Sequence, residues 1–102
     1  MFAGVGVRGG GSVTNLLVAG RGGVPVNASA VALNVTVTDP VGAGFVTVYP
    51  CGSSRPNASN VNFAAGATVA NSVVSGVGTG GQVCIFTMAD THVLVDVNGF
   101  FL

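Results

Sequence analysis

Short runs in which valine alternates with small residues recur along this chain of 102 residues. The clearest run spans residues 30–38, where Val31, Leu33, Val35 and Val37 alternate with Ala, Asn and Thr. A period of two places all the apolar members on one face of a β-strand. Valine also loses rotamer freedom in a helix and packs well on a pleated surface. The pattern therefore predicts an all-β fold whose strands each bury one face.

Turn residues divide the chain into about seven such strands. Turn segments, several of them rich in the 17 Gly of the chain, separate the apolar runs at short and regular intervals, which is typical of a β-sandwich or a small barrel. We predict one antiparallel β-sandwich domain over residues 12–102, preceded by a Gly-rich N-terminal arm over residues 1–11 that is a weak strand or a tether. The predicted strands are 12–19, 30–38, 45–50, 59–64, 68–75, 82–88 and 92–98. The second and third of these are expected to form a hairpin.

Two pairs of these strands resemble each other. Residues 12–20 match residues 68–76 position by position, and residues 45–48 match residues 92–95. Gly52 and Gly99 follow the second pair at the same offset. The match predicts an internal repeat whose halves contribute three or four strands each. The alternative is that any two valine-rich strands look alike.

Charged residues make up only 6% of the chain, against about a quarter in an ordinary soluble domain. Three Arg and three Asp cancel, and there is no Lys or Glu. Nucleic-acid binding needs clustered cations, as does an anionic membrane surface, and these Arg are scattered. No apolar run approaches the roughly 20 residues of a membrane-spanning helix. We therefore expect neither nucleic acid nor membrane insertion, and a neutral surface suited to adhesion, tandem copies or homo-oligomeric packing.

Cys51 and Cys84 are the only two cysteines. Their separation is far from that of a CxxC motif, so a redox or zinc site is not expected. One disulfide is the favoured prediction, and two buried free thiols are the alternative. A disulfide would stabilise the fold by roughly 3–4 kcal/mol and would place the chain in an oxidising, extracellular compartment. The start lacks the features of a signal peptide, so an exported chain is expected to be a mature fragment, a unit of a longer protein or a sequence with an added Met.

The residues that could carry catalysis are few. His92 is the only histidine, and Asp90 and Asp96 lie close to it in sequence. A serine hydrolase would use such a His as its base, but no GxSxG nucleophile motif is present. Asp39, Asp90 and Asp96 do not have the spacing of a calcium loop. We therefore expect no enzyme activity, no metal and no cofactor.

Asp96 lies in an otherwise apolar predicted strand. If it is buried, this carboxylate needs a partner, and Arg8, Arg21 or Arg55 could supply one. A structural ion pair or a turn hydrogen bond is the favoured interpretation. A ligand or metal carboxylate is the alternative.

The best candidate binding cluster combines one aromatic ring with planar polar side chains. It consists of Tyr49, Arg55, Asn57, Asn60 and Asn62. Side chains of these types hydrogen-bond sugars, although in loops they more often satisfy backbone groups.

Several segments together resemble a module common in actinobacterial secreted and cell-surface proteins. The resemblance covers residues 19–101 and rests on the runs AGRGGVP at 19–25, AVALNVTVT at 30–38, GFVTVYPCG at 44–52, RPNASNVNF at 55–63, VAN at 69–71 and VDVNGFF at 95–101. Residues 1–11 depart from the family's usual start and keep only Arg8. The resemblance implies a noncatalytic module that occurs in tandem or beside hydrolases. The predicted function is adhesion to a cell-wall or extracellular polysaccharide, and the alternative is a self-assembling structural unit of a fibre or array.

Overall fold

The structure, a computed structural model, describes residues 2–102, with side chains described from Gly9 onward. The described chain forms eight strands and one 3-10 turn: β1 Phe2–Arg8, β2 Ser12–Leu17, β3 Ala30–Thr38, β4 Gly44–Pro50, β5 Val61–Phe63, β6 Val69–Gly76, the turn Thr79–Gly81, β7 Gln82–Thr87 and β8 Thr91–Phe101. Two four-stranded sheets result, sheet A in the order β1-β8-β3-β6 and sheet B in the order β2-β7-β4-β5. No helix in the described part of the chain is long and apolar enough to cross a membrane.

Every strand pair in both sheets is antiparallel. The predicted antiparallel sandwich is therefore confirmed. Its eighth strand is β1, which lies within the N-terminal segment and pairs with β8 from Phe2 opposite Asp96 to Arg8 opposite Thr91. The glycine-rich turn that follows β1 is held by Asp90, whose carboxylate accepts the Gly10 N–H.

The core lies between the two sheets and is built from the valines that the alternation predicted to face inward. Val31, Leu33, Val35 and Val37 of β3 are all buried, as are Val93, Val95 and Val97 of β8. The facing layer from sheet B comprises Leu16, Val46, Val48, Val61, Phe63, Val83 and Ile85. Fully burying a side chain of this size stabilises the fold by about 1.5–3 kcal/mol, so these two layers hold the sheets together.

The predicted hairpin of β3 with β4 is wrong. β3 pairs with β6 and β8 in sheet A, whereas β4 pairs with β5 and β7 in sheet B. Between them Asp39 adopts a left-handed backbone (φ 53°), and Pro40 has no N–H to donate to a ladder. The chain therefore crosses from one sheet to the other, and the inward apolar residues of both strands belong to the same core.

The strand order has an internal two-fold symmetry. The symmetry exchanges β1 with β5, β2 with β6, β3 with β7 and β4 with β8. Under this exchange the order of sheet A, β1-β8-β3-β6, becomes β5-β4-β7-β2, which is the order of sheet B read from its other edge. Each sheet thus takes two strands from each half of the chain. This is the arrangement expected of two repeats of four interlaced strands.

The ladders obey the same symmetry residue by residue. Leu33 opposes Val73 and Val97 in sheet A, and Val83 opposes Leu16 and Pro50 in sheet B. The predicted match of 45–48 with 92–95 agrees with this register. The predicted match of 12–20 with 68–76 is wrong by one position, because buried Leu16 corresponds to buried Val73 and not to exposed Ser72. A slip of one residue would move every side chain of the strand to the other face.

Candidate functional site

Sheet B carries a second apolar cluster on its outer face. Tyr49, Cys51, Cys84 and Phe86 are buried there, and Phe45 packs against them. In β4 and β7 the alternate residues already fill the main core. The middle of sheet B is therefore buried on both faces, which requires a cover on the outside.

The cover is the connection between β4 and β5, residues 51–60. A disulfide joins Cys51 at its start to Cys84 of β7, with Cα atoms 5.0 Å apart, as the sequence predicted. The guanidinium carbon of Arg55 lies 3.7 Å from the centre of the Phe86 ring. A cation at this position is attracted to the ring face. Phe45 lies beside the same ring, with the centroids 5.9 Å apart.

The returning half of this loop is hydrogen-bonded to β4. Thr47 Oγ1 donates to Ala58 O at 2.7 Å, and Asn60 N donates to Val46 O at 2.8 Å. The side chain of Asn60 then accepts the Val48 N–H at 2.7 Å. Asn60 thereby extends the short β4–β5 ladder with its side chain and fixes the loop over the sheet.

Two glycines allow the start of the loop to approach the segment before β7. Gly52 has a left-handed backbone (φ 89°), and a Cβ there would lie 2.3 Å from Thr79 Oγ1. A Cβ on Gly78 would lie 2.1 Å from the carbonyl oxygen of Cys51. Only glycine fits at such a distance, so these residues permit the packing beside the disulfide.

Between the loop and β4 lies a surface pocket of about 290 Å³. It is lined by Phe45, Arg55, Pro56, Asn57, Ala58 and Ser59. Arg55 and Asn57 supply hydrogen-bond donors, and Phe45 and Pro56 supply apolar surface. The disulfide, the Arg55–Phe86 contact and the hydrogen bonds to β4 hold the loop that forms one side of the pocket.

The predicted binding cluster divides into two groups. Arg55 and Asn57 line the pocket, and Asn62 lies directly opposite Phe45 on β5, where its Oδ1 accepts a hydrogen bond from Ser59. Tyr49 is buried beneath the loop, and Asn60 uses its side chain on β4. Tyr49 and Asn60 therefore do not line the pocket; Tyr49 packs beneath the loop that forms it, and Asn60 hydrogen-bonds that loop to β4.

Neither of the two predicted partners of Asp96 whose side chains are described, Arg21 and Arg55, pairs with it. Asp96 is exposed on the outer face of sheet A, opposite Asn34 of β3. Arg21 is exposed in the turn after β2, and the side chain of Arg8 lies outside the described residues. Among the side chains from Gly9 onward, no ion pair joins Asp96 to Arg21 or Arg55. A carboxylate in water needs no such partner, because an exposed charge does not pay the desolvation cost of a buried one.

His92 is also exposed on the outer face of sheet A, on the same strand as Asp96. Four residues along a strand separate the two by about 13 Å. Within the described residues, no group of three His, Cys, Asp or Glu side chains is placed to hold a metal ion.

Sequence reasoning missed Phe45 and Phe86 as parts of the site. Both point away from the main core, and each sits on a strand whose alternate residues are valine or isoleucine. Large apolar side chains on both faces of one strand indicate that both faces are covered. This signal is present in residues 45–49 and 83–87.

Comparison of the chain with protein-family models, with curated proteins and with solved structures gave no match.

Proposed function

We propose that the chain is a noncatalytic extracellular module that binds a sugar unit of a cell-wall or extracellular polysaccharide in the pocket beside Phe45. The observation that carries the proposal is the pocket that the loop 51–60 forms with β4 on the outer face of sheet B. Its volume of about 290 Å³ is just below the usual range for ligand sites, which begins at about 300 Å³. This size suits one unit of a polymer.

The chemistry of the lining supports a sugar ligand. The guanidinium of Arg55 offers several donors in a fixed plane, which suits hydroxyl or carboxylate oxygens. The amide of Asn57 both donates and accepts. Phe45 and Pro56 offer apolar surface to the C–H groups of a sugar ring, and the disulfide is compatible with an extracellular setting.

Retention of the purified chain on insoluble polysaccharides tests the proposal. We expect saturable retention on peptidoglycan or on another bacterial wall polymer, and at least a tenfold weaker affinity for Asn57→Ala and Arg55→Ala. Arg21→Ala is the matched control, since Arg21 is an exposed arginine that does not line the pocket, and it should bind like the unchanged chain. Retention that is absent on every polymer, or equal for all three variants, would contradict the proposal.

A second candidate function, a self-assembling structural unit of a fibre or array, is supported by a different observation. The edge strands β2 and β6 carry no charged residue and no proline, and natural sheets commonly use such residues to block edge pairing. Growth of light scattering with concentration, with filaments visible by electron microscopy, is the expected result for this function. A chain that stays at a fixed small size at high concentration would exclude it.

A further inference from the structure

The four open edges of the two sheets differ in how they are protected. β1 forms one edge of sheet A, with a register shift between Gly4 and Gly6, and it ends at Arg8. β5 forms one edge of sheet B and is only three residues long. Bulges, charges and short length all hinder the addition of another strand.

The edge strand β6 has no charged residue or proline, but its one asparagine side chain hinders pairing at this edge. Asn71 Oδ1 accepts the Ser72 N–H at 3.0 Å, and Asn71 Nδ2 donates to Asn60 O at 2.7 Å. The amide of Asn71 thus occupies a backbone donor of β6 and ties this edge to the loop that covers sheet B. An incoming strand would have to displace both bonds.

The remaining edge, β2, has none of these features. Its register with β7 runs without a shift from Ser12 opposite Thr87 to Leu17 opposite Gln82. As an edge strand it directs a row of its backbone N–H and C=O groups away from β7. It also exposes two apolar side chains on the outer face of sheet B, Val13 at 47% and Leu17 at 39%.

The spacing of these two side chains is self-complementary. Val13 and Leu17 lie two residues on either side of Asn15 and share its face. In an antiparallel pair of two β2 strands centred on Asn15, Val13 of each copy opposes Leu17 of the other. Directly opposed apolar side chains stabilise a sheet, and no charge on β2 opposes the approach.

We propose that two copies of this chain pair through β2, antiparallel about Asn15, and join their B sheets into one continuous eight-stranded sheet. The contact is two-fold and uses the same surface of both copies, so it closes at a dimer. The occupant of the edge is therefore a second copy of the chain, and a fibre would need a further contact.

The dimer has a consequence that rests on the proposed function. A two-fold axis perpendicular to the joined sheet keeps both outer faces on the same side, so both pockets lie on that side. Five strand spacings separate the two β4 strands, which is about 24 Å. Two sites on one face bind a repeating polymer with higher avidity than one site does.

Analytical ultracentrifugation over a wide concentration range tests the pairing without any ligand. We expect a reversible monomer–dimer equilibrium, and at least a tenfold higher dissociation constant for Val13→Lys and for Leu17→Lys. Val74→Lys is the matched control: Val74 on β6 corresponds to Leu17 under the internal symmetry and is 65% exposed. This variant should dimerise like the unchanged chain.

Amide hydrogen exchange supplies a second measurement that does not depend on any variant. Protection of the amides of residues 12–17 should rise with protein concentration, while protection in β6 should not. A chain that is monomeric at all concentrations would overturn the proposal, as would a dimer unaffected by either β2 variant, or assembly beyond the dimer that Val74→Lys abolishes. Loss of polysaccharide retention with an unchanged dimer would instead count against the proposed function alone.

Discussion

The outer faces of the two sheets occupy equivalent positions in the internal symmetry, yet one is covered and the other is not. Phe86 and Cys84 on sheet B correspond to Thr36 and Asn34 on sheet A, which are only partly buried. Tyr49 corresponds to Asp96, which is exposed. The same strand order and register therefore support two different surfaces.

The difference shows what a loop adds to a repeated scaffold. On sheet B residues 51–60 return across the sheet, and the outward side chains are aromatic or cysteine. On sheet A the outward side chains of β3 are Ala, Asn and Thr, which are compatible with water. The inner faces, by contrast, are apolar in both sheets. The scaffold thus determines the inner layers, while loop and outward residues together determine the candidate site.

The largest expected effect comes from removing the ring on which the loop rests. Phe86→Ala should lower the free energy of unfolding by about 3–5 kcal/mol, because Phe86 is 7% exposed and contacts both Phe45 and Arg55. Chemical denaturation monitored by circular dichroism would measure it. Thr36→Ala, the equivalent change on sheet A, should cost less than about 1 kcal/mol. Equal losses of unfolding free energy in the two variants would mean that the loop covering sheet B adds no stability.

Removing the disulfide should be the next largest effect. The double variant Cys51→Ser/Cys84→Ser should lose roughly 3–4 kcal/mol of stability, because the unfolded chain gains the freedom of a loop with a sequence separation of 33. The midpoint of urea unfolding reports the change, with and without reductant. The double variant should be insensitive to reductant, whereas the unchanged chain should lose stability on reduction. An unchanged midpoint in both experiments would contradict this account.

Gly52 and Gly99 occupy equivalent positions in the internal symmetry, so adding one Cβ atom at each compares the packing of the two faces. Gly52→Ala should destabilise by about 1–3 kcal/mol, because the new Cβ would meet Thr79 on a left-handed backbone. At Gly99, its counterpart, a Cβ meets nothing within 4 Å, so Gly99→Ala should stay within about 0.5 kcal/mol of the unchanged chain. Thermal unfolding of both variants checks the difference. If Gly99→Ala proved the more harmful change, the packing described at the covered face would be wrong.

The smallest expected effect on stability is at Arg55. Arg55→Ala should cost about 0.5–1 kcal/mol, the usual worth of a cation over an aromatic ring at an exposed site. Calorimetry would measure the cost, and the exposed Arg21, changed to Ala, should show none. A loss of stability well above this range would mean that Arg55 mainly holds the loop in place. The binding test would then rest on Asn57→Ala, because weaker binding by Arg55→Ala could come from the displaced loop.

The strands were largely predictable from the sequence, but their pairing was not. The alternation in residues 30–38 gave the bounds of β3, because a half-buried strand needs a period of two. The same alternation suits a neighbour in one sheet and a facing strand across the core equally well. For this reason the valines of β3 and β4 predicted a hairpin where the structure places two sheets.

The site was predictable only in its polar part. Arg55 and Asn57 stand in a loop rich in Pro, Ser and Asn, where exposure could be expected. Phe45 and Phe86 were not predicted as parts of the site, because each strand was expected to bury only one face. The exposure of Asp96 was not predictable, because the alternation assigns it to the face opposite the valines without showing whether that face is covered.

Nuclear magnetic resonance of the isotope-labelled chain, titrated with soluble wall oligosaccharides, tests the central claim that the covered face of sheet B is the binding face. We predict that chemical-shift changes concentrate at Phe45, at residues 55–59 and at Asn62, and that Asn57→Ala reduces them. Changes concentrated at Asn34, Leu94 and Asp96 on the outer face of sheet A, or no change with any oligosaccharide that the intact polymer contains, would contradict the claim.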